Sequence, residues 1–191
     1  MNSIKIGLIA EDQTDYEVLN IFTCKLIEES KFKFLHHFGH GCGKLKKKCA
    51  AWAKNLVDRG CNHIVVMHDL DDNKEKVLRK SIEEKIRNIN CINRLILIPI
   101  FEVEAWLLSD SNALTKTFKI QNNIKDQINN PETIKDPKKH IGELVRKNCN
   151  IRYVNSIHNK KIAQEICIDE LSRKCRSFKP FQDFINRCFN N

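Results

Sequence analysis

The stretch His63-Ile64-Val65-Val66-Met67-His68-Asp69-Leu70-Asp71-Asp72 is an apolar run that ends in acid. A short run of Val and Ile reads as a strand buried on both faces, the kind found in parallel sheets. Open α/β sheets bind ligands outside the carboxyl ends of their strands. Three carboxylates at that end therefore stand where chemistry is usually done. In extended geometry Asp69 and Asp71 face the same way, because strand side chains alternate. Two such oxygen donors suit a hard divalent cation, Mg²⁺ or Mn²⁺. The bland alternative is an Asp-rich turn.

The same order recurs on either side. Ser3 to Ala10 reads as a first strand that stops at Glu11-Asp-Gln-Thr-Asp15. An amphipathic helix follows, with Leu19, Phe22 and Leu26 on one face and Asp12 or Thr14 as its cap. Lys31 to Phe38 reads as a second strand. Leu45, Cys49, Trp52, Ala53 and Leu56 then form a helical stripe that Gly60 ends. Asn73 to Asn88 reads as a charged helix whose apolar side is Val77, Ile82 and Ile86. Arg94 to Phe101 is the fourth strand, and it runs into Glu102-Val-Glu104-Ala-Trp106. Alternating strands and helices at this spacing imply an α/β fold with a mainly parallel sheet and flanking helices. Three strand ends carry acid: Glu11 and Asp15, Asp69 and Asp71, Glu102 and Glu104. Gathered in one pocket, these six carboxylates would repel each other unless cations, raised pKa values or water relieved them. A divalent metal is the economical answer.

Beyond Asp110 the composition turns to Asn, Lys and Ile. Lys119 to Asp136 reads as a loose connection with a short helix or two. Lys139 to Lys147 and Lys161 to Cys175 read as helices, and Phe178 to Phe189 as a last apolar one. The expected organisation is an α/β core over residues 1–110 with a helical extension, 111–191, packed on it.

Of 191 residues, 33 are Lys or Arg and 24 Asp or Glu, and the net charge of +9 suits a polyanion such as DNA or RNA. Lys44, Lys46, Lys47, Lys48, Lys160 and Lys161 are the candidate nucleic-acid contacts. No apolar run approaches the ~18 residues of a membrane span, and the N-terminus lacks the regions of a signal peptide. The expectation is a cytoplasmic protein with no membrane partner. A homo-oligomer is compatible with it. The nine Cys include no Cys-x-x-Cys pair, and most read as reduced and buried as small hydrophobes. His36, His40, Cys42 and Cys49 make a rival zinc site whose spacing matches no standard closed pattern. Gly39 to Lys44 is not a phosphate-binding P-loop, since Phe38 and Leu45 stand where Gly and Ser or Thr are needed. A serine hydrolase is unsupported, because no G-x-S-x-G elbow exists.

Strand–Glu11–helix followed by strand–Asp69-Leu-Asp71 resembles the Toprim domain of topoisomerases, primases and related nucleases. Glu11-Asp-Gln-Thr-Asp15 is similar to the form found in Toprim nucleases of the overcoming-lysogenization-defect type. More narrowly, the chain resembles a small bacterial Toprim-like family of undefined function, some of whose members lie in phage-defence loci. The likeness rests on Ile9-Ala-Glu11, His68-Asp-Leu-Asp71, Phe101-Glu-Val-Glu-Ala-Trp-Leu-Leu-Ser-Asp110 and Leu171-Ser-Arg-Lys-Cys-Arg-Ser-Phe-Lys-Pro-Phe181. It implies Mg²⁺- or Mn²⁺-dependent phosphodiester hydrolysis of DNA or RNA. Glu11 would serve as general acid/base or metal ligand, and Asp69 and Asp71 would hold a metal. Asp15, with Glu102 or Glu104, would hold a second. Asp12 stands where the pattern has Gly, and a backbone with φ > 0 there would strain it. Two other readings stay open. One is a non-catalytic subunit beside an ATPase encoded nearby, since the chain has no nucleotide-binding loop of its own. The other is a nucleic-acid binder that uses only its lysines.

Overall fold

The computed structural model describes residues 3–39, 42–121, 124 and 128–189. Its centre is a four-stranded, all-parallel sheet in the order β2-β1-β3-β4, built from β1 (Ile4–Ala10), β2 (Phe32–Phe38), β3 (His63–Met67) and β4 (Asn93–Leu97). The α/β reading therefore holds. Strand β3 is buried along its whole length, as expected of a central strand covered on both faces.

Two helices, α2 (Cys42–Asp58) and α3 (Glu75–Ile86), cover one face. Their Leu45, Cys49, Ala53, Leu56, Leu78 and Ile82 pack on Ile9, Ile64, Val66 and Ile96. Val77, expected on the apolar side of α3, is exposed, and Leu78 points inward instead. The start of α3 at Glu75, two residues later than expected, does not alter which residues share a face. Leu78 simply continues the i, i+4, i+8 row of Ile82 and Ile86 better than Val77 does. Helix α2 lies very close to β1: a Cβ built on Gly7 would sit 2.6 Å from Ile64 Cδ1 and 3.0 Å from Leu56 Cβ.

The other face carries α1 (Gln13–Leu26) and the C-terminal helices. These are α4 (Glu104–Leu107), α5 (Ser111–Phe118), α6 (Pro137–Cys149), α7 (Asn155–Glu165), α8 (Ile168–Lys174) and α9 (Lys179–Phe189). One apolar cluster runs from Ile6, Leu8, Val65 and Met67 through Phe22 and Trp106 to Phe178, Phe181 and Phe184. The C-terminal helices thus share the core of the sheet.

Three further expectations are corrected. The fourth strand ends at Leu97, because Pro99 has no N–H to donate; its carbonyl instead accepts from Leu70. The helix expected over Lys161 to Cys175 is two helices, α7 and α8. The chain breaks at Ile166, where Cys167 N–H donates to Asp110 Oδ2 and Lys25 Nζ donates to the Gln164 and Ile166 carbonyls. Ser111–Phe118 is a helix that was not expected; Asp110 caps it through the N–H groups of Asn112 and Ala113.

Candidate functional site

The crossover that leaves β1 runs to β2 on one side, and the crossover that leaves β3 runs to β4 on the other. That reversal opens a crevice between the carboxyl ends of β1 and β3, the usual binding position of open α/β sheets. Glu11 follows β1 and Asp69 follows β3. The register pairs Ile9 with Val66; two residues further on, Glu11 is level with His68. The Asp69 N–H donates to Glu11 Oε1 at 3.2 Å, and His68 Nδ1 lies 2.9 Å from the same oxygen. His68 Nδ1 is also 2.7 Å from the Asp69 carbonyl. Both neighbours of Nδ1 are acceptors, so the proton belongs on that nitrogen. A fully buried imidazole thus fixes one edge of the Glu11 carboxylate.

The chain does not run extended through Asp69-Leu70-Asp71. Parallel pairing continues past the strand, His68 N–H to Leu97 O and Leu70 N–H to Pro99 O, and then turns. Asp71 and Phe101 are both left-handed, at φ 45° and 61°, and the Asp71 N–H donates to the Phe101 carbonyl at 3.1 Å. A bulky residue such as Phe seldom adopts that region. The consequence is that Asp69 is half-buried, with its Oδ1 enclosed, while Asp71 is exposed. Both still face the crevice. Asp12 shows no such strain: at φ −144° it is ordinary extended backbone. It caps α1, accepting from the Thr14 and Asp15 N–H groups, while Asp15 Oδ2 accepts from the Glu11 and Asp12 N–H groups. Asp in place of Gly therefore makes a capping box rather than a forced turn.

All six predicted carboxylates line one cleft of about 180 Å³, joined by Asp12, Lys138, Asn155 and Asn159. Seven acids thus face one ammonium. Burial raises the Asp69 carboxyl well above its ordinary range, and Asp15, Glu104, Glu11 and Asp71 add to the rise. Burial and the neighbouring Asp12 do the same to Asp15. Burial also raises Glu104, although Lys138 and a hydrogen bond from Asn159 Nδ2 at 3.0 Å pull against it. Lys138 Nζ stands 3.3 Å from Glu102 Oε1 and 3.7 Å from Glu104 Oε1. Burial opposes its charge, but the two glutamates outweigh that and raise its affinity for the proton. Asn159 is held in turn by the Tyr153 hydroxyl.

Lys138, Asn155 and Asn159 escape a reading of the sequence for acidic clusters. The only local signal is Asp136-Pro137, a cap and first-turn Pro that start a helix at this point.

The donor set fits a hard cation. It is all carboxylate oxygen, and two of its buried atoms, Asp69 Oδ1 and Glu102 Oε2, have no hydrogen-bond partner among the described residues. Among those residues, no three His, Cys, Asp or Glu side chains already stand at metal-holding spacing. Side-chain rotation within the cleft would have to complete a ligand set.

The rival zinc site does not form. His36 stacks with Tyr16 and Phe38 on the α1 side of the sheet, and Cys49 is buried under α2 on the other. His40 and the Cys42 side chain lie outside the described residues. Nor do the candidate lysines make one surface. Lys44, Lys46, Lys47 and Lys48 are on α2, and Lys160 and Lys161 are on α7, across the sheet.

The family described as a domain of unknown function (DUF4276) matches residues 10–186, and the chain belongs to it. No curated protein and no solved structure matches the chain.

Proposed function

We propose that this member of the DUF4276 family is a divalent-metal-dependent nuclease that hydrolyses phosphodiester bonds of DNA or RNA. The observation that carries the reading is the meeting of Glu11 and Asp69, 58 residues apart, in a cleft with seven carboxylates and one cation. Buried like charges cost stability, and a cluster of this kind has a chemical reason when a divalent ion offsets it. The Toprim resemblance points the same way, since its Glu and Asp-x-Asp correspond to Glu11 and Asp69-Leu-Asp71.

Glu11, Asp69 and Asp71 would hold one Mg²⁺ or Mn²⁺, and Asp15, Glu102 and Glu104 would contribute to a second. When bound, such ions neutralise phosphoryl oxygens and make water a better nucleophile at neutral pH. The chain supplies the rest. His68 and the Asp69 N–H hold Glu11 Oε1, which leaves Glu11 Oε2 as the oxygen able to take a proton from water. Lys138 sets a positive charge at the rim, where a phosphate diester would enter. The strained pair Asp71 and Phe101 holds the acidic turn in a single shape. The implied setting, by the same resemblance, is defence against phage.

Purified protein incubated with single- and double-stranded DNA and RNA in Mg²⁺ or Mn²⁺ tests this. Cleavage that chelator stops, and that Glu11→Ala and Asp69→Ala lose, is the expected result. Intact nucleic acid under both metals overturns it.

A second reading draws on the Lys138 ion pairs with Glu102 and Glu104. An ammonium occupying part of the acidic cleft suits a non-catalytic subunit working beside an ATPase encoded nearby. Co-purification with that neighbour, together with unchanged function of Asp69→Ala, separates the two.

A further inference from the structure

Beside the acidic cleft lies a larger groove of about 660 Å³, and Lys138 belongs to both. The groove is formed by α6 and the segment that leads into α7. Its walls carry Lys139, Arg146 and Arg152, and its lining includes Ile151 and Tyr153. Its one acid, Glu143, is 3.9 Å from Lys139. Arg146 and Arg152 are exposed and have no carboxylate partner among the described residues. In the hollow around Arg173, Lys174 and Lys179, by contrast, Glu170 answers the first two and Asp183 the third, which leaves Arg176 alone without a salt bridge among the described residues. Lys44, Lys46, Lys47 and Lys48 of α2 are also unpaired among those residues, but they lie along one helix and not in this groove.

Unanswered cations above apolar side chains are what a single nucleic-acid strand uses: phosphates pair with the charges, and bases rest on the apolar surface. Ile151 is 40% exposed, an apolar group left open to such contact. Free Arg forks suit phosphate especially well.

We infer that this groove is the binding track for one strand of nucleic acid, and that it leads the strand past Lys138 into the carboxylate cleft. The inference rests on the nuclease reading of that cleft and names its substrate as single-stranded. It also moves the principal contact surface from the α2 lysines to Lys139, Arg146 and Arg152.

The test measures binding without chemistry. A short fluorescein-labelled oligonucleotide, as DNA and as RNA, is titrated against full-length protein in chelator, across a salt series. Each lost single-strand phosphate contact flattens the slope of log affinity against log salt by about 0.7. The double variant Arg146→Gln/Arg152→Gln is expected to flatten it by about 1.4, so that its loss of affinity is roughly 25-fold greater at the low end of a decade of salt than at the high end. The α2 double variant Lys47→Gln/Lys48→Gln is expected to bind within about threefold of the parent, since it removes no groove contact. Unchanged binding by the groove variant overturns the inference. So does equal weakening in both variants, or a duplex that binds more tightly than the single strand. Cleavage is read separately in Mn²⁺. Groove-dependent binding without any cleavage leaves the track standing and removes the nuclease reading. Cleavage by the groove variant with KM unchanged does the reverse.

Discussion

The acidic cleft and the basic groove touch at Lys138 yet are built in opposite ways. The cleft is made by strand ends. Its Asp15 and Glu104 are buried and Asp69 is half-buried, and the meeting of Glu11 with Asp69 follows from sheet register. The groove is made by one helix and a connecting segment, and its Arg146 and Arg152 lie in solvent. Like charges in solvent are screened and cost little. Like charges under protein are expensive. The cleft should therefore trade stability for chemistry, and the groove should not.

The comparison breaks at once if Glu11→Ala or Asp69→Ala retains nuclease activity. A fall of roughly 1000-fold or more in kcat is expected, since either change removes a charge the transition state depends on. Single-turnover cleavage in Mn²⁺ measures it.

Next in size is a control inside the sheet, away from both sites. Gly7→Ala inserts a methyl against Ile64 and Leu56. It should lower unfolding stability by about 1–3 kcal/mol through overpacking. Denaturant unfolding reads the change, and it should not alter binding in the groove.

Asp69→Asn should move stability the other way. It removes a half-buried, repelled carboxylate whose Oδ1 has no hydrogen-bond partner among the described residues, and is expected to stabilise the metal-free protein by about 1–2 kcal/mol at neutral pH, or several degrees in Tm. The sign depends on pH. Burial and neighbouring acids raise Asp69 above its ordinary 3.8. Between that value and the raised one, the folded state binds more protons than the unfolded, so stability falls as pH rises through the window. The variant lacks this term, and its advantage should grow from acid toward neutral pH. Saturating Mn²⁺ should abolish or reverse the advantage. Thermal melts across pH, with and without the ion, would show a flat difference if Asp69 is not repelled.

The smallest effect belongs to the groove. Arg146→Gln/Arg152→Gln should change stability by no more than about 0.5 kcal/mol, as exposed substitutions do. A larger loss in denaturant would mean that these arginines hold the fold together.

Much of the framework can be read locally. The apolar run Ile64 to Met67 and the alternation through Phe38 mark strands, because burial demands apolar side chains at the period of the backbone. Acid at three strand ends can be read for the same reason: carboxylates interrupt an apolar run wherever the sheet ends. Local pattern fails where another part of the chain completes a backbone bond. Asp110 and Lys25 split Lys161 to Cys175 into two helices, and neither lies within a helical turn of the break. The shape of Asp69-Leu-Asp71 fails likewise, because the Pro99 and Phe101 carbonyls bend it. The zinc site fails because residues close along the chain are carried to opposite faces.

The sequence by itself determined the kinds of elements, the parallel sheet and the acidic chemistry at its edge, since each depends on side-chain period over a few residues. Only the tertiary structure decided that Glu11 shares its carboxylate with the Asp69 N–H and His68, and that Lys138 reaches Glu102 and Glu104. These are contacts between residues dozens of positions apart, set by strand order and register. No window of neighbouring residues encodes a distance across a crevice.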